Sequence, residues 1–497
     1  MKISTLDNFL LAGFCLLITA CGTDISESLD KDANPGSADF STFVAIGDSL
    51  TAGYKDGALY RDGQLTSYPA ILAQQFAKAG GGAFRQPLMP VSATGSLTIG
   101  AAPIPGVNDR LIVVGTGNPD QPVTPTTISP TVSTEIVPAL TGPFNNLGVP
   151  AAKSFHVDFN GYGNPANLGV SANPFFVRFV SDGATTANSS MLDDAILQAP
   201  TFYVVWIGNN DILLYAVDGG DPTVSGQSVT ATGTFNGAFN AMINDLAVAV
   251  PTAKGVLVNI PDATTIPYFN TVPYNAIPLT ASQASTANMG FAPYNLSLQA
   301  LAGSSPCGTL LTPEEMARRQ ITFVEGQNPV VILDENLADV TCVSAALVNM
   351  RQATAKDFPL LTTASKLGTD AGGGLLWGIS APLLDSDVLI EDEVDEIEAA
   401  RSVYNATIKA AADADPNLVL FDAAAKLNEL NTTGILYGSG GVSSAFIQGG
   451  AFSADGVHPT ARGYAVIANE IMKVIENGFG AELPPVNPSD YSTVFFK

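Results

Sequence analysis

The sequence has few positive charges and almost no histidine. Lys and Arg together number 21 against 46 Asp and Glu, which gives a formal net charge of −25 at pH 7. A surface with this charge repels phosphate backbones, so the composition argues against nucleic-acid binding. With only 2 histidines and 4 cysteines, few side chains are available as a general base or as ligands of a transition metal. Hydrophobic residues make up 46% of the chain, which supports a large buried core.

Long apolar runs are also absent after the N-terminus. Residues 9–20 (FLLAGFCLLITA) are apolar but too short to span a bilayer, and they follow Lys2, so residues 1–20 are predicted to be a signal peptide. The sequence Ile-Thr-Ala-Cys that ends at Cys21 resembles a bacterial lipobox, which implies that Cys21 carries a lipid. An ordinary signal peptide with a chance cysteine is the alternative. We therefore expect a membrane anchor in the bacterial envelope, at the outer membrane, followed by a flexible tether over residues 21–39.

Two cysteines, Cys307 and Cys342, lie outside the leader. An even pair in an exported chain predicts a disulfide, with two buried free thiols as the alternative. A metal site is disfavoured because neither histidine lies near them in the sequence.

Short apolar segments alternate with helical patterns along the chain. This alternation predicts an α/β fold with a mainly parallel sheet. We expect one domain over residues 40–480, with long insertions at about 85–143 and 269–381 and a C-terminal tail over 481–497. The expected strands lie at 40–46, 201–207, 255–260 and 417–421, and the expected helices lie at 67–79, 238–250, 391–412 and 461–476.

Four segments carry residues suited to chemistry. Ser49 (GDSL) directly follows the first expected strand, at the edge where open α/β sheets hold ligands. Asp455 and His458 (DGVH) are three residues apart, so the carboxylate can orient the imidazole and leave Nε2 free as a base. His156 has apolar neighbours and is interpreted as a structural histidine, although it is the one other candidate base.

The other two segments supply hydrogen-bond donors. Asn210 (GNND) follows the second expected strand, where its neutral amide suits an oxyanion hole, although an Asn-rich turn would look the same. Gly148 (NNLGVP) could let a backbone N–H approach a substrate closely.

In this order, GDSL, the Gly-containing NLGVP segment, GxND and DxxH resemble the blocks of the GDSL/SGNH hydrolase superfamily of esterases and lipases. The resemblance covers about residues 40–262 and 417–477. It implies a three-layer α/β/α sandwich, flavodoxin-like in outline, and no metal or organic cofactor. It further implies that Ser49 is the nucleophile, His458 the base and Asp455 its orienting carboxylate. The implied oxyanion donors are the Ser49 and Gly148 amides and the Asn210 side chain.

The expected activity is hydrolysis of carboxylic esters, either lipid or lysophospholipid acyl esters or simple esters. Deacetylation of polysaccharides is an alternative, and a non-catalytic envelope binding lipoprotein is a second. Apart from the ester substrate and the membrane, no partner is expected. The acidic segment 385–398 is interpreted as a solvated helix N-terminus rather than a calcium site, because its spacing does not match an EF-hand loop.

Overall fold

The architecture is taken from a computed structural model that describes residues 32–115, 124–128, 132–182, 188–221, 223–224, 226–438 and 440–495. The expected signal peptide and Cys21 lie outside these residues. Among the helices described, none combines the length and apolar character needed to cross a membrane.

A five-stranded parallel sheet organises the fold, as the alternation of strands and helices predicts. In chain order its strands are β1 (Phe43–Gly47), β2 (Asn146–Gly148), β3 (Phe202–Trp206), β4 (Lys254–Val258) and β5 (Leu418–Phe421). Their order across the sheet is β2-β1-β3-β4-β5, with every neighbouring pair parallel. This is a common doubly wound order, in which the crevice for a ligand opens between β1 and β3.

Helices cover both faces of the sheet because side chains alternate along each strand. Val44 and Ile46 of β1 face one core, whereas Phe43 and Ala45 face the other. The main helices are α1 (Ser49–Ala52), α2 (Tyr68–Lys78), α3 (Asn210–Val217), α4 (Thr232–Ala249), α5 (Glu391–Ala414), α6 (Ala423–Thr432) and α7 (Ala461–Phe479). Apolar residues of α4 and α5 fill the first core, and those of α2 and α7 fill the second. The result is three layers.

The long insertion forms a unit with its own apolar core. This core runs from Ile277 to Ile390, so the insertion ends nearer residue 390 than the expected 381. It contains helices Ala281–Leu301 and Pro313–Arg319 and short antiparallel strand pairs such as Val331–Leu333 with Met350–Gln352. Cys307 and Cys342 are joined by a disulfide, as predicted.

The other predicted insertion, over residues 85–143, contains only short strands. Leu97–Ile99 pairs with Ala102–Pro103 and with Thr134–Glu135, and Leu111–Val114 pairs with Thr124–Thr127. The remaining short helices of the domain are Arg61–Leu65, Pro174–Val177, Met191–Ile196 and Pro267–Asn270.

Both ends of the described chain pack onto the domain, which corrects the predicted boundaries. Asn34 and Glu482 exchange backbone hydrogen bonds of 2.9 and 2.7 Å, and the Ser37 N–H donates to the Phe479 carbonyl. Ala38 and Leu483 are buried in the α7 side of the core. Residues 34–38 therefore belong to the fold rather than to a tether, and the segment after residue 480 is not a free tail.

Candidate active site

Ser49 stands at the turn between β1 and α1. The carboxylate of Asp48 caps α1 by accepting the Leu50 N–H at 2.9 Å, and Gly53 ends the helix in a left-handed conformation. A side chain at Gly47 would lie 2.2 Å from Thr51 Oγ1, so only glycine lets the chain turn this tightly. Ser49 is 7% exposed, and its N–H donates no hydrogen bond within the described residues.

Three side chains form a continuous hydrogen-bonded chain at this turn. Ser49 Oγ lies 2.9 Å from His458 Nε2, and His458 Nδ1 lies 2.9 Å from Asp455 Oδ2. The loop before α7 carries both Asp455 and His458, so residues more than four hundred positions apart in the sequence meet at the end of β1. The structure thus brings together the three residues that sequence reasoning selected as nucleophile, base and orienting acid.

The carboxylate of Asp455 is held in place by several donors. Oδ1 accepts the backbone N–H groups of Val457 and His458, and Oδ2 accepts the N–H of Gly57 at 2.8 Å. Burial alone would raise the pKa of Asp455, but His458 and the backbone donors outweigh it and hold the pKa below its usual value. Because Asp455 is then ionised at neutral pH, it can only accept a hydrogen bond. The proton of the His458 ring therefore lies on Nδ1, and Nε2 is free to accept the Ser49 proton.

Gly148 does not offer its N–H to the site, contrary to the expectation from sequence. That N–H donates to Asn146 Oδ1 at 2.9 Å. The glycine is needed for packing, because a side chain there would lie 2.1 Å from the Ala52 backbone nitrogen. β2 pairs with β1 through Gly148 and Gly47, and any larger residue would separate β2 from α1.

Another candidate backbone donor follows three residues later, at Ala151. This alanine has a φ of 65°, in the left-handed region that alanine rarely adopts. It is exposed, and its N–H donates no hydrogen bond within the described part of the chain. Sequence reasoning missed Ala151 because nothing in its side chain signals the strained conformation.

Asn210 is tied to the same turn. Its Nδ2 donates to the Ala152 carbonyl at 2.9 Å and is buried. An amide nitrogen carries two hydrogens, so this bond orients Asn210 beside Ala151 and leaves one hydrogen for another acceptor. The neighbouring Asn209 has a different role, because its Nδ2 donates to Asp48 Oδ2 at 2.8 Å.

Asp48 is a fully buried carboxyl group directly before Ser49. Burial raises its pKa to about 6, and the hydrogen bonds from Asn209 and Leu50 oppose this rise. Through its bonds to Leu50 and Asn209, Asp48 links the turn that carries Ser49 to the segment that follows β3.

His156 is placed as a structural residue, in agreement with its apolar sequence neighbours. Its Nδ1 accepts the Lys153 N–H at 3.0 Å, and its ring stacks on Tyr162 with centroids 4.6 Å apart. Burial lowers the pKa of His156 to about 4, so the ring is neutral over most of the pH range.

Apolar cavities adjoin the Ser49–His458 pair. The nearer one, of about 60 Å³, is lined by Ser49, Leu50, Asn209, Ile212, Val457 and His458, among others. A second cavity, of about 120 Å³, adjoins the first, since both are lined by Leu50, Pro261, Ile266 and Val457. Its further walls are almost entirely apolar and include Trp206, Phe421 and Val466.

Comparison of the chain with models of known protein families finds no match, and no characterised protein is significantly similar to it in sequence.

Proposed function

We propose that the protein is a serine hydrolase that cleaves carboxylic esters through an acyl-enzyme on Ser49. The observation that carries the proposal is the hydrogen-bonded chain Asp455–His458–Ser49, with both ring nitrogens of His458 at 2.9 Å from their partners. A nucleophile bonded to a base that is itself oriented by a third group is the arrangement used for nucleophilic acyl transfer. The resemblance of the four segments to GDSL/SGNH hydrolases supports the same chemistry.

The reaction proceeds in two halves. His458 Nε2 takes the proton of Ser49 Oγ as Oγ attacks the ester carbonyl, and the resulting imidazolium is stabilised by Asp455. The proton then passes to the leaving alcohol oxygen as its bond to the acyl carbon breaks. In the second half, His458 takes a proton from water, the hydroxide oxygen attacks the acyl carbon, and Ser49 Oγ leaves with the proton from His458.

The negative charge of each tetrahedral intermediate needs donors that are already in position. We assign this role to the Ser49 N–H, the Ala151 N–H and the second hydrogen of Asn210 Nδ2. The first two make no other hydrogen bond among the described residues, and the third is oriented by the Ala152 carbonyl. Ala151 replaces Gly148 in this assignment because the Gly148 N–H is bound to Asn146.

The cavities favour an ester with an apolar acyl group. The cavity beside Ser49 adjoins a larger one. The walls of this larger cavity are almost entirely apolar and include Phe421, Trp206 and Val466. An acyl chain entering these spaces would gain about 0.8 kcal/mol for each buried CH₂. A polysaccharide acetyl group is too short to use the second cavity, so acyl esters of lipids are the favoured substrate class over acetylated polysaccharides.

Hydrolysis of a p-nitrophenyl ester series from two to sixteen carbons tests this proposal. We expect kcat/KM to rise from acetate to a medium chain, and Ser49→Ala to abolish hydrolysis while the protein stays folded by circular dichroism. Highest activity on acetate and on an acetylated polysaccharide would favour the deacetylase. No activity on any ester would contradict an esterase.

A further inference from the structure

Three acidic side chains, two of them from the acidic segment 385–398, converge where the insertion meets α5. Glu335 follows the strand Val331–Leu333, Asp385 begins the 3₁₀ turn Asp385–Asp387, and Glu393 lies in the first turn of α5. One carboxylate oxygen from each lies within 4.8 Å of the other two. From the sequence, the acidic segment 385–398 was predicted to be solvated. This is only partly correct, because part of the segment turns inward to meet Glu335.

The innermost carboxylate has an oxygen without a donor. The Glu393 side chain is only 3% exposed. Its Oε2 accepts the Ile390 N–H at 2.7 Å, but its Oε1 has no hydrogen-bond partner in the described chain. Oδ1 of Asp385 is likewise buried without a partner. Buried polar atoms are almost always satisfied, so two such oxygens at one place indicate a missing partner, and a cation is a partner that all three carboxylates can share.

Acidic residues that neighbour these three in the sequence are each paired with a basic side chain. Asp334 pairs with Arg351, Asp387 with Lys366, and Glu391 with Lys356. Glu335, Asp385 and Glu393 each lie within two residues of one of these paired acids in the sequence. No Lys or Arg, however, forms an ion pair with any of the three within the described residues.

We propose that Glu335, Asp385 and Glu393 form a binding site for Ca²⁺. Calcium binds carboxylate oxygens at about 2.3–2.6 Å, so oxygens that share one ion can be up to roughly 5 Å apart, and one oxygen of each of the three side chains lies close enough to the other two. The three side chains offer one converging oxygen each, and water molecules can complete the six to eight oxygen ligands that calcium takes. Magnesium usually binds one or two carboxylates and keeps several waters.

The site would join the insertion to the catalytic body. The turn at Gly219 and Gly220, which follows α3, packs against it. A side chain at Gly220 would lie 2.0 Å from Glu393 Oε1, and one at Gly219 would lie 2.2 Å from the Asp385 carbonyl oxygen. Because α3 begins at Asn210, a calcium ion here would fix the far end of the helix that carries a proposed oxyanion donor.

Isothermal titration of the full-length protein, freed of metal with EDTA and held at 150 mM NaCl, tests the proposal with CaCl₂ as the probe. We expect one saturable site, a calcium-dependent rise in Tm, and at least tenfold weaker binding of MgCl₂. Glu393→Gln keeps the size of the side chain and should weaken calcium binding at least tenfold. Asp395→Asn removes a charge from the same helix at an exposed position and should leave binding within twofold of the wild type.

The metal-free variants separate loss of a ligand from loss of the fold. Glu393→Gln should have a Tm in EDTA at least equal to that of the wild type, because the amide has the same size and needs no cation among the three side chains. If Glu393→Gln does not fold, Asp385→Asn is the second variant, with the same expected loss of binding. Absence of saturable calcium binding, equal binding by the ligand variant and Asp395→Asn, or tighter binding of magnesium would each overturn the assignment.

Discussion

The side-chain amide of Asn210 donates a hydrogen bond of 2.9 Å to the carbonyl of Ala152. This bond joins the start of α3 to the turn after β2 that contains the strained Ala151, and it leaves the second amide hydrogen of Asn210 for another acceptor. The two segments that would supply oxyanion donors next to Ser49 are therefore fastened to each other.

Asn210→Ala is expected to lower kcat with little change in KM, because the donor acts on charge that develops in the transition state. The loss of one such donor costs about 10²–10³ in rate, or roughly 3–4 kcal/mol. Steady-state kinetics on the best ester measures both constants.

The matched control is Asn173→Ala. Asn173 Nδ2 donates to the Pro150 carbonyl at 2.8 Å, so the variant removes a comparable buried bond to the same turn. It should lower the free energy of unfolding but reduce kcat far less than Asn210→Ala does. Equal losses of kcat in the two variants would show that Asn210 only supports the turn.

Asp455→Asn tests the orientation of the base. The carboxylate accepts five bonds, from the N–H groups of Gly57, Val457 and His458, from the Ser453 hydroxyl and from the His458 ring. An amide has one acceptor oxygen, so either the ring loses its acceptor or the backbone does. By analogy with the same substitution in the catalytic triad of serine proteases, kcat should fall by about 10⁴. A fall of less than tenfold in the folded variant would contradict the role given to Asp455.

The buried Asp48 predicts a pH dependence of stability. Its pKa rises from 3.8 in the unfolded chain to about 6 in the folded protein. Between these values the folded state holds a proton that the unfolded state releases, so stability falls as pH rises through this window. The gap between the two pKa values corresponds to about 3 kcal/mol. His156 acts in the opposite direction, since its folded pKa of about 4 lies below its unfolded value of 6.5.

Urea unfolding of the wild type and Asp48→Asn at several pH values isolates this effect, because His156 contributes equally to both. The variant should gain stability relative to the wild type between pH 4 and about 6. It can keep the Leu50 cap, and Asn209 can rotate its amide to present an oxygen. A constant difference across this range would mean that Asp48 is not held in its protonated form.

Much of the fold could be predicted from the sequence, because the central strands are apolar runs that stand out from their surroundings. Predicted strands at 40–46 and 201–207 correspond to β1 and β3, and helix α5 begins at the predicted Glu391. β2 was missed because it is three residues long, contains a polar Asn146, and is defined only by pairing with β1.

The site shows a similar limit. Ser49, Asp455 and His458 could be found because their side chains suit the chemistry and few histidines compete. Sequence does not show which backbone N–H groups are already bonded, so Gly148 was chosen over Ala151. It also does not show which acid of a charged run turns inward, so Glu393 was placed in solvent.

Val466→Phe tests whether the second cavity receives the acyl chain. Val466 lines this cavity from α7, and a larger side chain would fill it without touching Ser49 or His458. We expect kcat/KM to fall at least tenfold on long-chain esters and to stay within twofold on acetate. Val474→Phe makes the same change on the same helix but faces the other side of the core, outside both cavities, and should preserve the chain-length profile. The same profile for Val466→Phe as for the wild type would show that the chain binds elsewhere.

Covalent labelling with a fluorophosphonate, located by peptide mass spectrometry, tests most directly whether His458 activates Ser49. We expect one phosphonylated residue, Ser49, in the wild type and in His156→Ala, no label in Ser49→Ala, and at least hundredfold slower labelling in His458→Ala. An unlabelled wild-type protein, a label on another serine, or rapid labelling of His458→Ala would contradict this expectation.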